Sequence, residues 1–308
     1  MSYRMLELHG VFPPIPTPFD RRGAIDFEAL ASHIHFLSSF HLSGYVILGS
    51  NGEAVHQTFE ERIALLEASR ALIPQDRLLI AGTGCLSTHE TIELSQRAEG
   101  CGANAVLVLP PSYYRGRMTL QALVRHFHAV ADALNIPLIV YNMPACTGLD
   151  LDVETIAAIA DHPNVIGLKD SGGNVAKMGA LHQRLGDGFQ ILAGSASFLL
   201  PALSVGAVGG VLALANIAPA QCLAIRECAL ADEWDKARVI QVQLIEANMA
   251  VTSRWGVAGL KAAMSMMGLP TSFVRAPLLE LQPPELEQLR SILKASQILI
   301  PERKETLR

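Results

Sequence analysis

Charge is scarce in this 308-residue chain: 17% of its residues are Asp, Glu, Lys or Arg, and the formal net charge is −5. That balance lacks the electrostatic footprint of a nucleic-acid binder, so the expected partner is a small molecule or another copy of the chain. Cysteine is sparse as well. Cys85, Cys101, Cys146, Cys222 and Cys228 form no Cys-x-x-Cys pair, and an odd count of 5 excludes a complete disulfide framework. A reducing cytoplasm is the expected compartment. No apolar run is long enough to predict a membrane span, and Met1 to Gly10, with acidic Glu7, has the character of neither a signal peptide nor a transit sequence. Also missing is a Gly-x-Gly-x-x-Gly turn after the first apolar run. Pro13-Pro14-Ile15-Pro16-Thr17-Pro18 stands there instead, which argues against an open dinucleotide-binding sheet. Lysine is absent up to position 169: histidine apart, every earlier basic side chain is Arg.

What the chain does have is apolar residues, half of its length, arranged in short runs. Tyr45 to Leu48, Leu78 to Ala81, Ala105 to Leu109, Leu138 to Tyr141, Val165 to Leu168, Gln190 to Ala193 and Val208 to Leu212 each predict a buried parallel strand. Val11 to Pro16 supplies the first of eight. Helix starts lie between them: Thr58-Phe59-Glu60-Glu61 and Ser87-Thr88-His89-Glu90 both fit a capping box, and Asp152 fits an N-cap. Eight strand–helix units in about 220 residues predict an α/β fold, the (β/α)8 TIM barrel, whose typical size is about 250 residues. Beyond Pro219 only helices are expected: Gln221 to Ala231, Trp234 to Met249, Gly259 to Met267 and Pro284 to Leu293. The chain therefore divides into a barrel carrying the active site, residues 1–218, and a C-terminal helical extension packed on it, residues 219–308.

Chemistry in such barrels sits at the carboxyl ends of the strands. The sixth run ends in Gly167-Leu168-Lys169-Asp170-Ser171. Strict alternation puts Val165, Gly167 and Lys169 on one side and Ile166 and Leu168 on the other. With the aliphatic pair against the helices, Lys169 points into the barrel mouth. A buried lysine can fall several pKa units below its free value of about 10.4, giving an amine able to form an imine with a ketone. The competing reading pairs Lys169 with Asp170 as a structural ion pair. Tyr141, at the end of the fifth run, suits proton transfer, and Gly49-Ser50-Asn51-Gly52-Glu53 offers a turn whose N–H groups could hold a carboxylate. A packed tyrosine ring and a plain turn are the alternatives for these two.

Together, Gly49-Ser50-Asn51-Gly52-Glu53, Tyr141-Asn142-Met143-Pro144 and Gly167-Leu168-Lys169-Asp170-Ser171 resemble the dihydrodipicolinate synthase/N-acetylneuraminate lyase superfamily, from Gly10 to about Leu281. Longer segments resemble its 4-hydroxy-2-oxoglutarate aldolase branch: Pro111 to Met118, Lys169 to Gly173, Ala193-Gly194-Ser195-Ala196, Gly206 to Gly210 with Ala213 to Asn216, and Arg275-Ala276-Pro277-Leu278. The resemblance implies a class I aldolase that cleaves a 4-hydroxy-2-oxo acid to pyruvate and an aldehyde such as glyoxylate, without cofactor or metal. Lys169 would be the Schiff-base lysine and Tyr141 the acid/base. Ser50 would link Tyr141 to Tyr113, donated by a neighbouring subunit, with Tyr114 the second choice for that crossing. Ser50 and Asn51 N–H groups would bind the substrate carboxylate, with Ser171, Cys146, Gly194 and Ser195 completing the substrate site. A homo-oligomer, dimer or tetramer, is implied. The synthase branch has Arg where Cys146 stands, and the aldolase branch has Asn. A thiol cannot supply the guanidinium fork that a semialdehyde carboxylate would need.

Rival functions are a dihydrodipicolinate synthase, a sugar-acid aldolase or dehydratase of the same superfamily, or a non-catalytic sensor of 2-oxo acids. A sensor has no need of Lys169, Tyr141, Ser50 and Tyr113 together. His33 with His35, and His126 with His128, are two apart on predicted helices and diverge, so no metal site is expected from them. Glu53 is read as pinning its turn or as catalytic, Arg275 as a salt bridge or a clamp on a distal carboxylate, and Gly209-Gly210 as packing under the pocket.

Overall fold

The computed structural model describes residues 6–298. Eight strands are found among them: β1 (Gly10–Phe12), β2 (Gly44–Ile47), β3 (Leu78–Gly82), β4 (Ala105–Val108), β5 (Leu138–Asn142), β6 (Val165–Asp170), β7 (Gln190–Ala193) and β8 (Gly209–Val211). All pair in parallel in the order β1-β8-β7-β6-β5-β4-β3-β2. The ring is nearly closed into a (β/α)8 barrel. Between β1 and β2 a single bridge, Pro14 to Val46, replaces a ladder, with Ile15 N–H donating to Val46 O at 2.9 Å and Val46 N–H to Pro13 O at 3.0 Å. β1 is thus shorter than Val11 to Pro16, because Pro13, Pro14 and Pro16 have no N–H to give a ladder.

Two apolar layers hold the ring. Inside it, Phe12, Val46, Ile80, Leu107, Ile139, Leu192 and Val211 meet. Outside, Tyr45, Ile47, Leu79, Val106, Val140, Leu168 and Ile191 pack against the helices. Alternation along the strands explains both sets, with one exception in β6. There the register with β5 shifts between Leu138 and Ile139, pairing Leu138 with Val165 but Ile139 with Gly167. A bulge reverses the parity of what precedes it, so Ile166 faces the barrel interior and Val165 the helices. Ile166 and Leu168 therefore lie on opposite faces, contrary to the shared face that strict alternation predicts. Lys169 still points inward, because it lies beyond the shift.

The helix starts follow side-chain chemistry. Thr58 and Glu61 form a full capping box, the Thr58 hydroxyl accepting from Glu61 N at 3.2 Å and the Glu61 carboxylate from Thr58 N at 2.9 Å. Ser87 forms half of one: it accepts from Glu90 N at 3.1 Å, while the Glu90 carboxylate lies 3.9 Å from Arg62. Asp152 caps Thr155 N at 2.8 Å. After β8 come Pro219–Leu230, Trp234–Met249, a π-turn at Ala250–Arg254, Gly256–Met266 and Pro283–Ala295. Pro219–Leu230 packs on β1 and on the short helix Leu199–Leu203, the place of the eighth barrel helix. It packs on Trp234–Met249 as well, so it joins the ring to the helices that follow. No helix among the described residues is long and apolar enough to cross a membrane.

Candidate active site

β5 and β6 carry the two central residues side by side, Tyr141 being paired in register with Lys169. Both point into the barrel mouth, with Lys169 Nζ 3.9 Å from the centroid of the Tyr141 ring. The Tyr141 hydroxyl lies 3.4 Å from Ser50 Oγ, the outer limit of a hydrogen bond. All three line a cavity of about 540 Å³ that also receives Asn51, Cys146, Ser171, Gly194 and Ser195. Every site residue expected from sequence is there except Tyr113. Its ring is 74% exposed on the loop after β4, set edge-on against Tyr114 with centroids 5.0 Å apart. Within one chain the structure does not bring Tyr113 to the cavity, nor does it pack the two rings into their own barrel.

The surroundings of Lys169 distinguish it from the other buried lysines. Lys177 binds Asp150 at 2.5 Å and Asp170 at 3.0 Å, and Lys261 binds Glu53 at 2.6 Å. Lys169, 3% exposed, has no carboxylate in ion-pair range among the described residues. Asp170 is thus the partner of Lys177 and not of its sequence neighbour.

Beneath the pair lies a polar network that sequence reasoning missed. Asn142 Nδ2 donates to Asp150 at 2.7 Å and to Asp170 at 3.2 Å, and Asn142 Oδ1 accepts from Leu151 N at 3.0 Å. Asp170 also accepts from Gly172 N at 2.6 Å. Burial raises the Asp150 carboxyl, but the hydrogen bonds from Lys177 and Asn142 outweigh it and hold the group below its usual range. The residues following Tyr141 and Lys169 are thereby locked together. The sequence signal was a polar residue directly after each apolar run, Asn142 and Asp170.

On the cavity's other walls the donors are neutral. Cys146 sits on the short helix Pro144–Thr147, its thiol pushed up by burial against the opposite pull of Lys169. Gly194 donates its N–H to Asp170 O at 2.7 Å, so that group is already used, and a Cβ there would lie 2.1 Å from the Ser171 hydroxyl. Its contribution is space. Asn248 Nδ2 donates to Ser195 Oγ at 2.8 Å and Ser197 Oγ at 2.6 Å, leaving both hydroxyl protons to be donated elsewhere. Asn248 and Thr252 reach the cavity from the extension, where the π-turn Ala250–Arg254 interrupts the helix. Neither was legible, since no proline or glycine marks that turn from within. Of the residues lining this cavity, Lys169 is the sole cation.

The Ser50 and Asn51 N–H groups open the short 3₁₀ turn Ser50–Gly52 and donate to no protein acceptor among the described residues. A second space of about 440 Å³ adjoins Ser50, Tyr141 and Cys146 on the side of β3 and β4, bounded by Val55, Leu107, Leu109 and Leu278 and by the basic His56 and Arg62. Arg275 is not available to a ligand: it grips both Glu61 oxygens at 2.7 Å, donates to His56 O at 2.7 Å and reaches Gly23 O. His33 and His126 are buried, whereas His35 is exposed and His128 bonds Ile159 O at 3.2 Å, so neither pair converges. At Gly209 a Cβ would lie 2.0 Å from Gly10 O, so this glycine permits β8 to approach β1.

The model of the "Dihydrodipicolinate synthetase family" matches residues 7–296. A 4-hydroxy-tetrahydrodipicolinate synthase of Haloarcula marismortui is 34% identical over 289 residues, 94% of each chain. A probable mitochondrial 4-hydroxy-2-oxoglutarate aldolase of Emericella nidulans is 37% identical over 260 residues, 83% of this chain and 84% of that one. Among solved structures, the dihydrodipicolinate synthase of Acinetobacter baumannii complexed with pyruvate superposes with a TM-score of 0.91 at 30% identity, covering 95% of this chain and 100% of that one.

Proposed function

Because the chain belongs to the dihydrodipicolinate synthetase family and is, like its members, a pyruvate-dependent lyase, we propose that it cleaves 4-hydroxy-2-oxoglutarate, or a close 4-hydroxy-2-oxo acid, to pyruvate and an aldehyde such as glyoxylate. The observation that carries this reading is the uncompensated Lys169 amine beside Tyr141 in a cavity with no second cation. Lys169 Nζ attacks the C2 carbonyl and water leaves, giving an iminium that withdraws electrons. The Tyr141 oxygen takes the proton of the 4-hydroxyl, the C3–C4 bond breaks, and its electron pair moves to C3 as an enamine while glyoxylate departs. Protonation at C3 and hydrolysis release pyruvate and restore the amine. The Ser50 and Asn51 N–H groups hold the C1 carboxylate, an anion at the open end of a 3₁₀ turn.

The distal carboxylate falls to Ser171, Ser195 and the rim near Cys146. Hydrogen bonds to a charged group contribute about 1.5–3 kcal/mol each, so two neutral donors can stand in for one guanidinium. The second reading is the synthase reaction, favoured by the name of the Haloarcula relative and opposed by Cys146 in place of Arg. Measuring kcat/KM for both decides: cleavage of 4-hydroxy-2-oxoglutarate should exceed condensation of pyruvate with aspartate semialdehyde, and the reverse order transfers the assignment to the synthase.

The active unit is at least a dimer, with Tyr113 of one chain completing the relay of another. Support comes from the rim formed by the loops after β2, β3 and β4, where Val55, Leu86, Tyr113 and Tyr114 are all exposed, an apolar patch of the kind that interfaces cover. Mixing inactive Tyr113→Phe and Lys169→Ala proteins after dissociation should restore activity. No recovery after confirmed subunit exchange rejects the shared site.

A further inference from the structure

Glu53 is an unexpected residue for its backbone. It joins the 3₁₀ turns Ser50–Gly52 and Ala54–His56 with φ +53°, ψ +34°, a left-handed conformation that glycine adopts without steric cost. The Glu53 carboxylate is 2% exposed and meets three donors: Lys261 Nζ at 2.6 Å, Arg275 N at 2.9 Å and His56 Nδ1 at 3.2 Å. Two of these come from the C-terminal extension.

Lys261 is equally enclosed. Besides Glu53 it donates to Phe273 O at 2.6 Å and stands 4.6 Å over the Phe19 ring. Phe273 in turn bridges to Phe19. Burial pushes the Lys261 ammonium down and Glu53 pulls it back. On its other side the turn is fixed from the barrel, Gly52 O accepting from Thr17 Oγ1 and Gln57 Nε2, each at 2.7 Å. The Ser50–Gly52 turn therefore sits between two anchors, one in the barrel and one in the extension. Ser50 and Asn51 line the cavity in between, with the Ser50 hydroxyl beside Tyr141.

We propose that Lys261, acting through Glu53, is a positioning residue for the carboxylate-binding turn: the helical extension sets the orientation of the Ser50 and Asn51 N–H groups. Lys261 does not touch substrate. This rests on the imine reading of the site only for its probe, pyruvate trapped on Lys169. A displaced turn weakens carboxylate binding in ground and transition states alike, so KM rises more than kcat falls. A buried carboxylate stripped of its cation is the cause of the displacement, so neutralising it should reverse the defect.

The test is borohydride trapping of pyruvate on the full-length protein, titrated with pyruvate and read by mass spectrometry, beside steady-state kinetics. In Lys261→Met the pyruvate concentration for half-maximal adduct should rise at least tenfold, with the saturating adduct still on Lys169. In the Lys261→Met/Glu53→Gln double variant much of that shift should disappear. A folded Lys261→Met with the wild-type midpoint overturns the proposal, as does a double variant worse than either single one. Should Lys261→Met not fold, Glu53→Gln, nearly identical in shape, carries the test: a raised midpoint supports the clamp and an unchanged one rejects it. Absence of any adduct in the wild-type protein rejects the imine reading instead. In that case the clamp is judged by the same comparisons on KM for the substrate turned over.

Discussion

At the barrel mouth Lys169 is buried with an aromatic ring beside it and no carboxylate, whereas at the seam between extension and barrel Lys261 is buried to the same 3% and wrapped by Glu53, Phe273 O and Phe19. Lys177, a few residues from Lys169, has two aspartates. The fold thus supplies counter-charge to the buried lysines that hold its elements together. At Lys169 it supplies none among the described residues.

Replacing the two lysines should therefore have opposite consequences. Lys169→Met should abolish turnover and imine formation yet raise the thermal midpoint, since removing an uncompensated polar group from an apolar site commonly stabilises by about 0.5–2 kcal/mol. A lowered midpoint means that Lys169 has structural partners after all. Next in size, Tyr141→Phe should keep fold and imine but lose turnover about 10²–10⁴-fold if the hydroxyl is the acid/base; unchanged turnover reassigns it to packing. Lys261→Met should cost about 3–5 kcal/mol in urea unfolding by stranding Glu53, and Glu53→Gln in that background should return part of it. Additive losses on adding Glu53→Gln contradict the pairing.

Two buried histidines give the same contrast in a weaker form. Burial lowers His33 and His126 each to about 4, so the unfolded chain takes up protons first as pH falls. The stability tied to the neutral rings is complete above about pH 6.5 and is lost toward pH 4, with a slope of about 1.4 kcal/mol per pH unit for each histidine. His33→Leu should flatten the urea-measured profile by one such slope, and an unaltered profile sinks this assignment.

The barrel was legible because its strands are short apolar runs at regular spacing, and the candidates Lys169, Tyr141 and Ser50 because each ends one or follows it within two residues. The orientation of Ile166 was not, since a bulge depends on the register with a neighbouring strand and leaves no mark in one sequence. Likewise Asn248 and Thr252 reach the cavity through a π-turn without a breaker residue. Glu53 and Arg275 were each legible as either structural or functional. Only tertiary partners decided: Arg275 is held by Glu61, His56 O and Gly23 O, and Glu53 by the extension.

On the proposed reading the uncompensated amine of Lys169 captures the ketone of the substrate. Incubation with pyruvate and borohydride, followed by peptide mass spectrometry, tests it most directly. A reduced pyruvyl adduct confined to Lys169, absent in Lys169→Met, is the predicted result. No adduct, or one on Lys177 or Lys261, contradicts it.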